Sequence, residues 1–362
     1  MNTSTQTAPA TTVVSTYAKL HRASQVFGLV HSADGEVTVF RDHLARHLSN
    51  AVNITGKALG GDNPLRVTVH QQDGAMDAIT LLKALSDCEQ LVRYKDLGFV
   101  SAVEYLVHNP QYEDVVAIGN FWSSDPYGET ARLNKLLADL HHGGLRQHVT
   151  TQSVGWQKQS DARWASIQSS IEGVFAANDT IFACKADLLH QDYVPKNKVQ
   201  VMTRYDQLTQ GQTFTHADVG QVQSWQRAFH TALSESITCQ QKLLAWVYVT
   251  SYSRITGPYT TAVLLFDGAG VAPDEVHDVL QTSWNTATDG QGYCFHWSSS
   301  KCLWAGSIEP CDDIKRHGLL HGLECVALAE MYVRPHCLKN LSTFVVGNIF
   351  SELHKESEHG HP

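Results

Sequence analysis

The sequence predicts an α+β protein whose C-terminal half folds as a ferredoxin-like, split βαβ unit. Three observations point there. Two runs rich in Val, Tyr, Trp and Thr, LLAWVYVT (243–250) and PYTTAVLLFDG (258–268), read as neighbouring strands joined by the polar connection SYSRITG. An amphipathic helix precedes the pair and another follows it. A further strand lies beyond each helix, which gives the order β-α-β-β-α-β. The first half is dominated by helical periodicity and suggests no chemistry.

Taken in order, residues 1–16 (MNTSTQTAPATTVVST) lack the positively charged start and apolar core of a signal peptide. They are expected to form a disordered polar tail on a cytoplasmic protein. Val26 to Val39 reads as a hairpin with HSADGE, His31 to Glu36, as its turn. Ala78, Leu81, Leu82, Leu85, Cys88 and Val92 recur at helical spacing, which predicts a helix over Asp77 to Tyr94. Further helices are expected over Phe99 to His108 and Glu129 to Leu140, with the loop WSSDPYG between them and HHGG ending the second. The polar stretch Gly144 to Trp156 is the candidate boundary. It separates a mostly helical domain, residues 17–150, from an α+β domain, residues 156–350.

In that second domain Trp164, Ile167, Ile171, Val174 and Phe175 mark a helix over Asp161 to Phe175, and TIFACKAD (180–187) is a strand. A polar segment, Gln191 to His216, leads to a helix over Val219 to Thr238 with the stripe Val222, Trp225, Phe229, Leu233 and Ile237. After the two central strands come a helix over Pro273 to Ala287, with Val276, Leu280 and Trp284 inward, and a strand over Gly292 to Trp297. A strand at Cys302 to Ile308, a helix within Asp313 to Arg334 and a strand over Leu341 to Ile349 complete the pattern, and residues 351–362 form a frayed tail. With both helices of the split βαβ unit on one face, the other face of the sheet is expected to be open to a ligand. Trp246, Tyr248, Tyr259 and Thr261 are its expected lining, with the aromatics as a stacking platform.

A formal charge of -9 argues against a general polyanion binder. A local phosphate-contacting rim is still expected from Arg254, Lys301, Lys315, Arg316, Arg334 and Lys339. The eight cysteines form no CxxC pair and read as free thiols, not as a structural zinc site. Asp187 reads as a cap or a ligand at a strand end, and Asp312 and Asp313 as first-turn charges. His317 and His321 share a helix face; a metal there needs a third ligand, for which Glu324 is within reach. No phosphate loop, nucleophile elbow or zinc-deaminase signature occurs, and no run is long and apolar enough to span a membrane. No cofactor is expected.

The segments AWVYVTSY from Ala245, GPYTTAVLLFDG from Gly257, GQGYCF from Gly290, WAGSI from Trp304, CVALAEMYVRP from Cys325 and TFVVG from Thr343 occur in a telling order. Together they resemble the replication initiators of filamentous phages and prophage remnants, the inovirus and YagK/YfjJ-type family of HUH Rep proteins. The resemblance covers roughly residues 160–350. It implies a protein of a phage, prophage or mobile element. Such enzymes nick one DNA strand with a metal held by two histidines and an acidic residue, and a tyrosine becomes linked to the DNA. At the matching positions this sequence has Tyr259 and Thr261 for the histidines, Val249 for the carboxylate, and Cys325 and Leu328 for the tyrosine and lysine. The resemblance therefore implies a pseudoenzyme that lacks the catalytic and metal residues and binds single-stranded or hairpin DNA, or a phage or host protein, through Trp246, Tyr248, Tyr259, Thr261, Arg254, Lys301 and Arg334. One alternative is an active rolling-circle nickase with displaced residues: Asp187 with His190, His317 or His321 as ligands, and Tyr332 or Tyr293 as nucleophile. A protein-interaction module without nucleic-acid binding is the third reading.

Overall fold

The computed structural model describes residues 29–39, 47–48, 50–52, 67–68, 76–77, 97–99, 103–104, 126–142, 144–210, 212–329, 333–338 and 343–348. Its elements in chain order begin with β1 (Leu29–His31), β2 (Val37–Val39), β3 (Val67–Thr68), β4 (Met76–Asp77) and β5 (Leu97–Phe99). Then follow α1 (Pro126–His141), α2 (Gly144–Ala177), β6 (Ile181–His190), α3 (Lys198–Thr209), α4 (Val219–Ser234) and α5 (Ile237–Lys242). The chain continues through β7 (Leu243–Ser253), β8 (Gly257–Asp267), α6 (Pro273–Ala287), β9 (Gly292–His296), β10 (Gly306–Ile308), α7 (Asp313–Ala329), β11 (Val333–Pro335) and β12 (Phe344–Asn348).

The mixed α+β architecture centres on a six-stranded sheet in the order β10-β6-β8-β7-β12, with β9 also paired to β6. All its pairings are antiparallel. The apolar runs of β7 and β8 place these strands inside the sheet, where every residue of β7 is buried. A three-residue turn, Arg254 to Thr256, joins them, so the strands extend further into SYSRITG than its polarity suggests.

Strand alternation divides the core in two. Phe182, Cys184, Ala186 and Leu188 of β6 face α4 and α6, where they meet Phe229, Leu233, Val276, Leu280 and Trp284. Ile181 and Ala183 face the other way, toward Ile167, Ile171 and Val174 of α2 and Leu319, Leu323 and Ala327 of α7. Helices therefore cover both faces, and the face expected to be open is closed. Over the end of that second face lies the β1–β2 hairpin, whose Val37 packs with Leu189, Tyr259 and Phe295.

Local chemistry explains the helix starts. Asn197, Asp218 and Ser236 cap α3, α4 and α5 by accepting from the backbone N–H groups of Gln200, Gly220 and Cys239. Pro273 opens α6, followed by Asp274 and Glu275 at the positive end of the helix dipole. The helix expected over Val219 to Thr238 is two helices, broken at Ser236 by that cap. The polar segment 191–216 contains α3, hidden from sequence reading because Val201 is its only fully buried residue. Gly144 to Trp156, expected as a boundary, is the start of the unbroken α2. The expected N- and C-terminal tails, and most of the expected helices over 77–94 and 99–108, lie outside the described residues. No helix among the described residues is long and apolar enough to cross a membrane.

Candidate metal centre

Two polar clusters sit on opposite faces of β6. The first joins Cys184, in the middle of β6, to His277 in the second turn of α6 and His296, the last residue of β9. One ligand atom from each, Cys184 Sγ and a ring nitrogen of each histidine, lies within 4.8 Å of the others. The strand register brings Cys184 and His296 together. Ala186 lies opposite His296, so Cys184, two residues along β6 on the same face, is its diagonal neighbour. His277 follows the buried Val276 and reaches the sheet edge from above.

The two imidazoles stack with centroids 4.2 Å apart and planes inclined by 29°. His296 Nδ1 is buried and has no hydrogen-bond partner. Burial, and then the neighbouring His277, push the His296 imidazole down to about 4, so the ring stands neutral. Burial, and then Cys302, push the Cys184 thiol up to about 12. A cation at this spot favours the thiolate instead.

On this side of β6 the backbone pairing is interrupted beside Cys184. β9 pairs with Ala186 to His190 and β10 with Ile181 to Ala183, so neither strand faces Cys184 and Lys185. A lone hydrogen bond from the Trp297 N–H to the Lys185 carbonyl bridges that interval.

The second cluster surrounds Asp187, which is 1% exposed. Its Oδ1 accepts from Thr261 Oγ1 at 2.6 Å. Its Oδ2 accepts from Trp297 Nε1 at 2.6 Å and from His31 Nε2 at 3.0 Å. Burial acts to raise the carboxyl pKa, but the Lys185 charge and the His31 and Thr261 hydrogen bonds outweigh it and hold Asp187 at about 2. His31 is stacked on Phe295, and Tyr293 donates to the Ser32 carbonyl, which anchors the β1–β2 hairpin over this end of the sheet.

The expected site residues do not form one platform. Trp246 and Tyr248 point toward α4 and α6, whereas Tyr259 and Thr261 point to the opposite face, because Tyr248 pairs with Ala262 and Val249 with Thr261. All three aromatics are buried. Trp246 fills the space beside Gly347, where an added Cβ runs into its ring. The Tyr248 hydroxyl lies 3.1 Å from His230 Nδ1, and burial raises the pKa of both Tyr248 and Tyr259, so each is a neutral phenol.

The expected cationic rim is largely engaged with the protein itself. Lys301 donates to the Gly35 carbonyl, Lys315 to the Ser307 carbonyl, and Arg316 lies over Phe175. Arg254 sits in the β7–β8 turn, and Arg334 pairs through β11 with Gly98 of β5. The side chain of Arg334, and Tyr332 and Lys339, lie outside the described residues.

The displaced ligands expected for a nickase do not converge either. Asp187 is committed to its network, His190 stacks on Trp225, and His317 and His321 stack on each other along α7. Among the described residues, the one ligand group of three or more is Cys184, His277 and His296. Sequence reading missed it, because intervals of 93 and 19 residues match no ligand motif and only the β6–β9 register together with the packing of α6 against β9 brings the three together. Comparison with known proteins finds no matching family model, no matching curated protein and no matching solved structure.

Proposed function

We propose that this chain is a Rep-like protein that acts through a bound metal ion as a DNA-nicking or phosphodiester-cleaving enzyme whose metal ligands are displaced from the family's positions. The observation that carries this reading is the convergence of Cys184, His277 and His296 from three different elements. A three-ligand set leaves a coordination position free for water or a phosphate oxygen, the arrangement of a catalytic rather than a structural site. The metal would polarise the phosphate and lower the pKa of water. The strand order β9-β6-β8-β7, with α4 and α6 on one face, supports a ferredoxin-like assignment, and the sequence segments quoted above support the Rep-like one.

A second reading, an inactive Rep-like protein that binds DNA or a protein partner, is favoured by one observation. Thr261, at a family histidine position, is tied by a hydrogen bond to Asp187, and buried Tyr259 occupies the other.

The test incubates labelled single-stranded and hairpin DNA with the purified chain and Zn²⁺, Mn²⁺ or Mg²⁺ at two salt concentrations, reading cleavage and binding together. Metal-dependent cleavage lost in His277→Ala supports the first reading. Salt-sensitive binding without cleavage under any metal overturns it in favour of the second, and the absence of both leaves a protein-interaction module.

A further inference from the structure

We infer that the ion held by Cys184, His277 and His296 is a thiophilic, zinc-class divalent metal, not the Mg²⁺ or Mn²⁺ suited to oxygen ligands. This rests on the metal-dependent reading above and narrows it. One thiol and two imidazoles form a sulfur and nitrogen set with no carboxylate. Mg²⁺ requires near-octahedral oxygen coordination, whereas zinc takes this donor set readily in a tetrahedron.

Three features distinguish the cluster from a buried cysteine beside two stacked rings. Its donors come from a strand interior, a strand end and a helix, so the backbone fixes all three. His296 Nδ1 is buried without a partner, an arrangement that costs free energy unless a ligand at the site satisfies the ring. The donors also lie within 4.8 Å of one another. Tetrahedral bond lengths of about 2.0 Å to nitrogen and 2.3 Å to sulfur place donors roughly 3.3–3.6 Å apart. Binding would draw the donors inward from that limit by side-chain rotation, and both histidines are only partly buried.

Burial also sets the direction of the fourth position. Cys184 lies on the core side at 3% exposure, while both histidines reach partial exposure at the sheet edge. An ion held by the three would be reached by water or a substrate oxygen from the histidine side, the less buried one.

The experiment is Co²⁺ titration of the metal-free full chain, read by absorbance. One equivalent is expected to produce tetrahedral d–d bands and a thiolate charge-transfer band. Zn²⁺ should abolish both, and millimolar Mg²⁺ should leave them unchanged. Cys184→Ser should remove the charge-transfer band, and His277→Ala should weaken Co²⁺ binding at least about ten-fold. His277→Ala changes a partly exposed position and keeps the test decisive if Cys184→Ser fails to fold. No saturable binding, or a charge-transfer band that survives Cys184→Ser, overturns the inference. Cobalt binding without cleavage by any metal sustains this inference and defeats nicking. Mg²⁺-dependent cleavage that persists in His277→Ala sustains nicking and defeats this inference.

Discussion

The two faces of β6 carry polar clusters of opposite kinds. On one face, both Asp187 oxygens are filled by Thr261, Trp297 and His31. On the other, Cys184, His277 and His296 approach one another, yet a buried ring nitrogen has no partner. Both arise from the same strand, through Cys184 and Asp187 three residues apart and both buried, so burial alone does not separate them. Each holds one buried ring nitrogen without a partner, His31 Nδ1 and His296 Nδ1. What differs is the centre: a carboxylate with both oxygens filled by protein donors on one face, a thiol and two imidazoles able to ligate an ion on the other. A buried carboxylate filled by protein donors holds a fold together, whereas converging sulfur and nitrogen donors are the place to look for an ion.

The comparison breaks most severely at Asp187. Asp187→Ala strands three buried donors, on Thr261, Trp297 and His31, and is expected to destabilise the chain by roughly 3–5 kcal/mol in urea unfolding. Its effect on Co²⁺ affinity should be negligible if the fold survives. A loss of less than about 1 kcal/mol would show that the network is not structural.

Next in size is ligand-linked stability. Zn²⁺ at a hundred times its dissociation constant should stabilise the wild-type chain by about 2.7 kcal/mol and raise its melting temperature in calorimetry. At the same Zn²⁺ concentration His277→Ala should cut that rise by about half or more, whereas Asp187→Asn should retain it relative to its own metal-free form.

Acid sharpens the same contrast. The Asp187 carboxyl falls from an ordinary value of 3.8 to about 2 in the folded chain. A depressed folded pKa contributes stability above the unfolded pKa, and that contribution is lost as pH falls from near 4 toward 2. About 2 kcal/mol should disappear across this window. The corresponding slope should be shallower in Asp187→Asn when denaturant midpoints are followed against pH.

The smallest effect belongs to Thr261. Thr261→Val removes one of the three donors while keeping the side-chain volume, so a loss of about 1 kcal/mol is expected. Metal titration of this variant should match wild type, and a weakened metal response would mean that the two faces are coupled.

Sequence reading succeeded where a signal is local. The stripe Val276, Leu280 and Trp284 fixed α6 to its observed bounds, and the apolar block of β8 identified an interior strand. It failed where the deciding information is a pairing between distant segments. Sequence alone gives no register between β7 and β8, so Tyr248 and Tyr259 were placed on one face although the register puts them on opposite faces. The second helical layer escaped notice because α2 and α7 lie outside the β-α-β-β-α-β order, although their apolar stripes are visible in the chain. The metal candidate depends on the same long-range register. Cys184 drew no attention among eight scattered cysteines, and its partners His277 and His296 are ordinary members of a set of twenty histidines.

The short strands at the limits of the sheet bear on how copies of this chain coexist in solution. The ten- and eleven-residue strands β6, β7 and β8 all have neighbours on both sides. Among the described residues the outermost strands are β9 with five residues and β10 with three on one side, and β12 with five on the other. A long, flat row of unpaired amide and carbonyl groups is what lets one molecule add its backbone to the next and seed fibrils. Here the longest templates are internal, and one margin is divided where β9 ends and β10 has not begun. The sheet thereby resists edge-to-edge polymerisation through its geometry, independently of the chain's net charge.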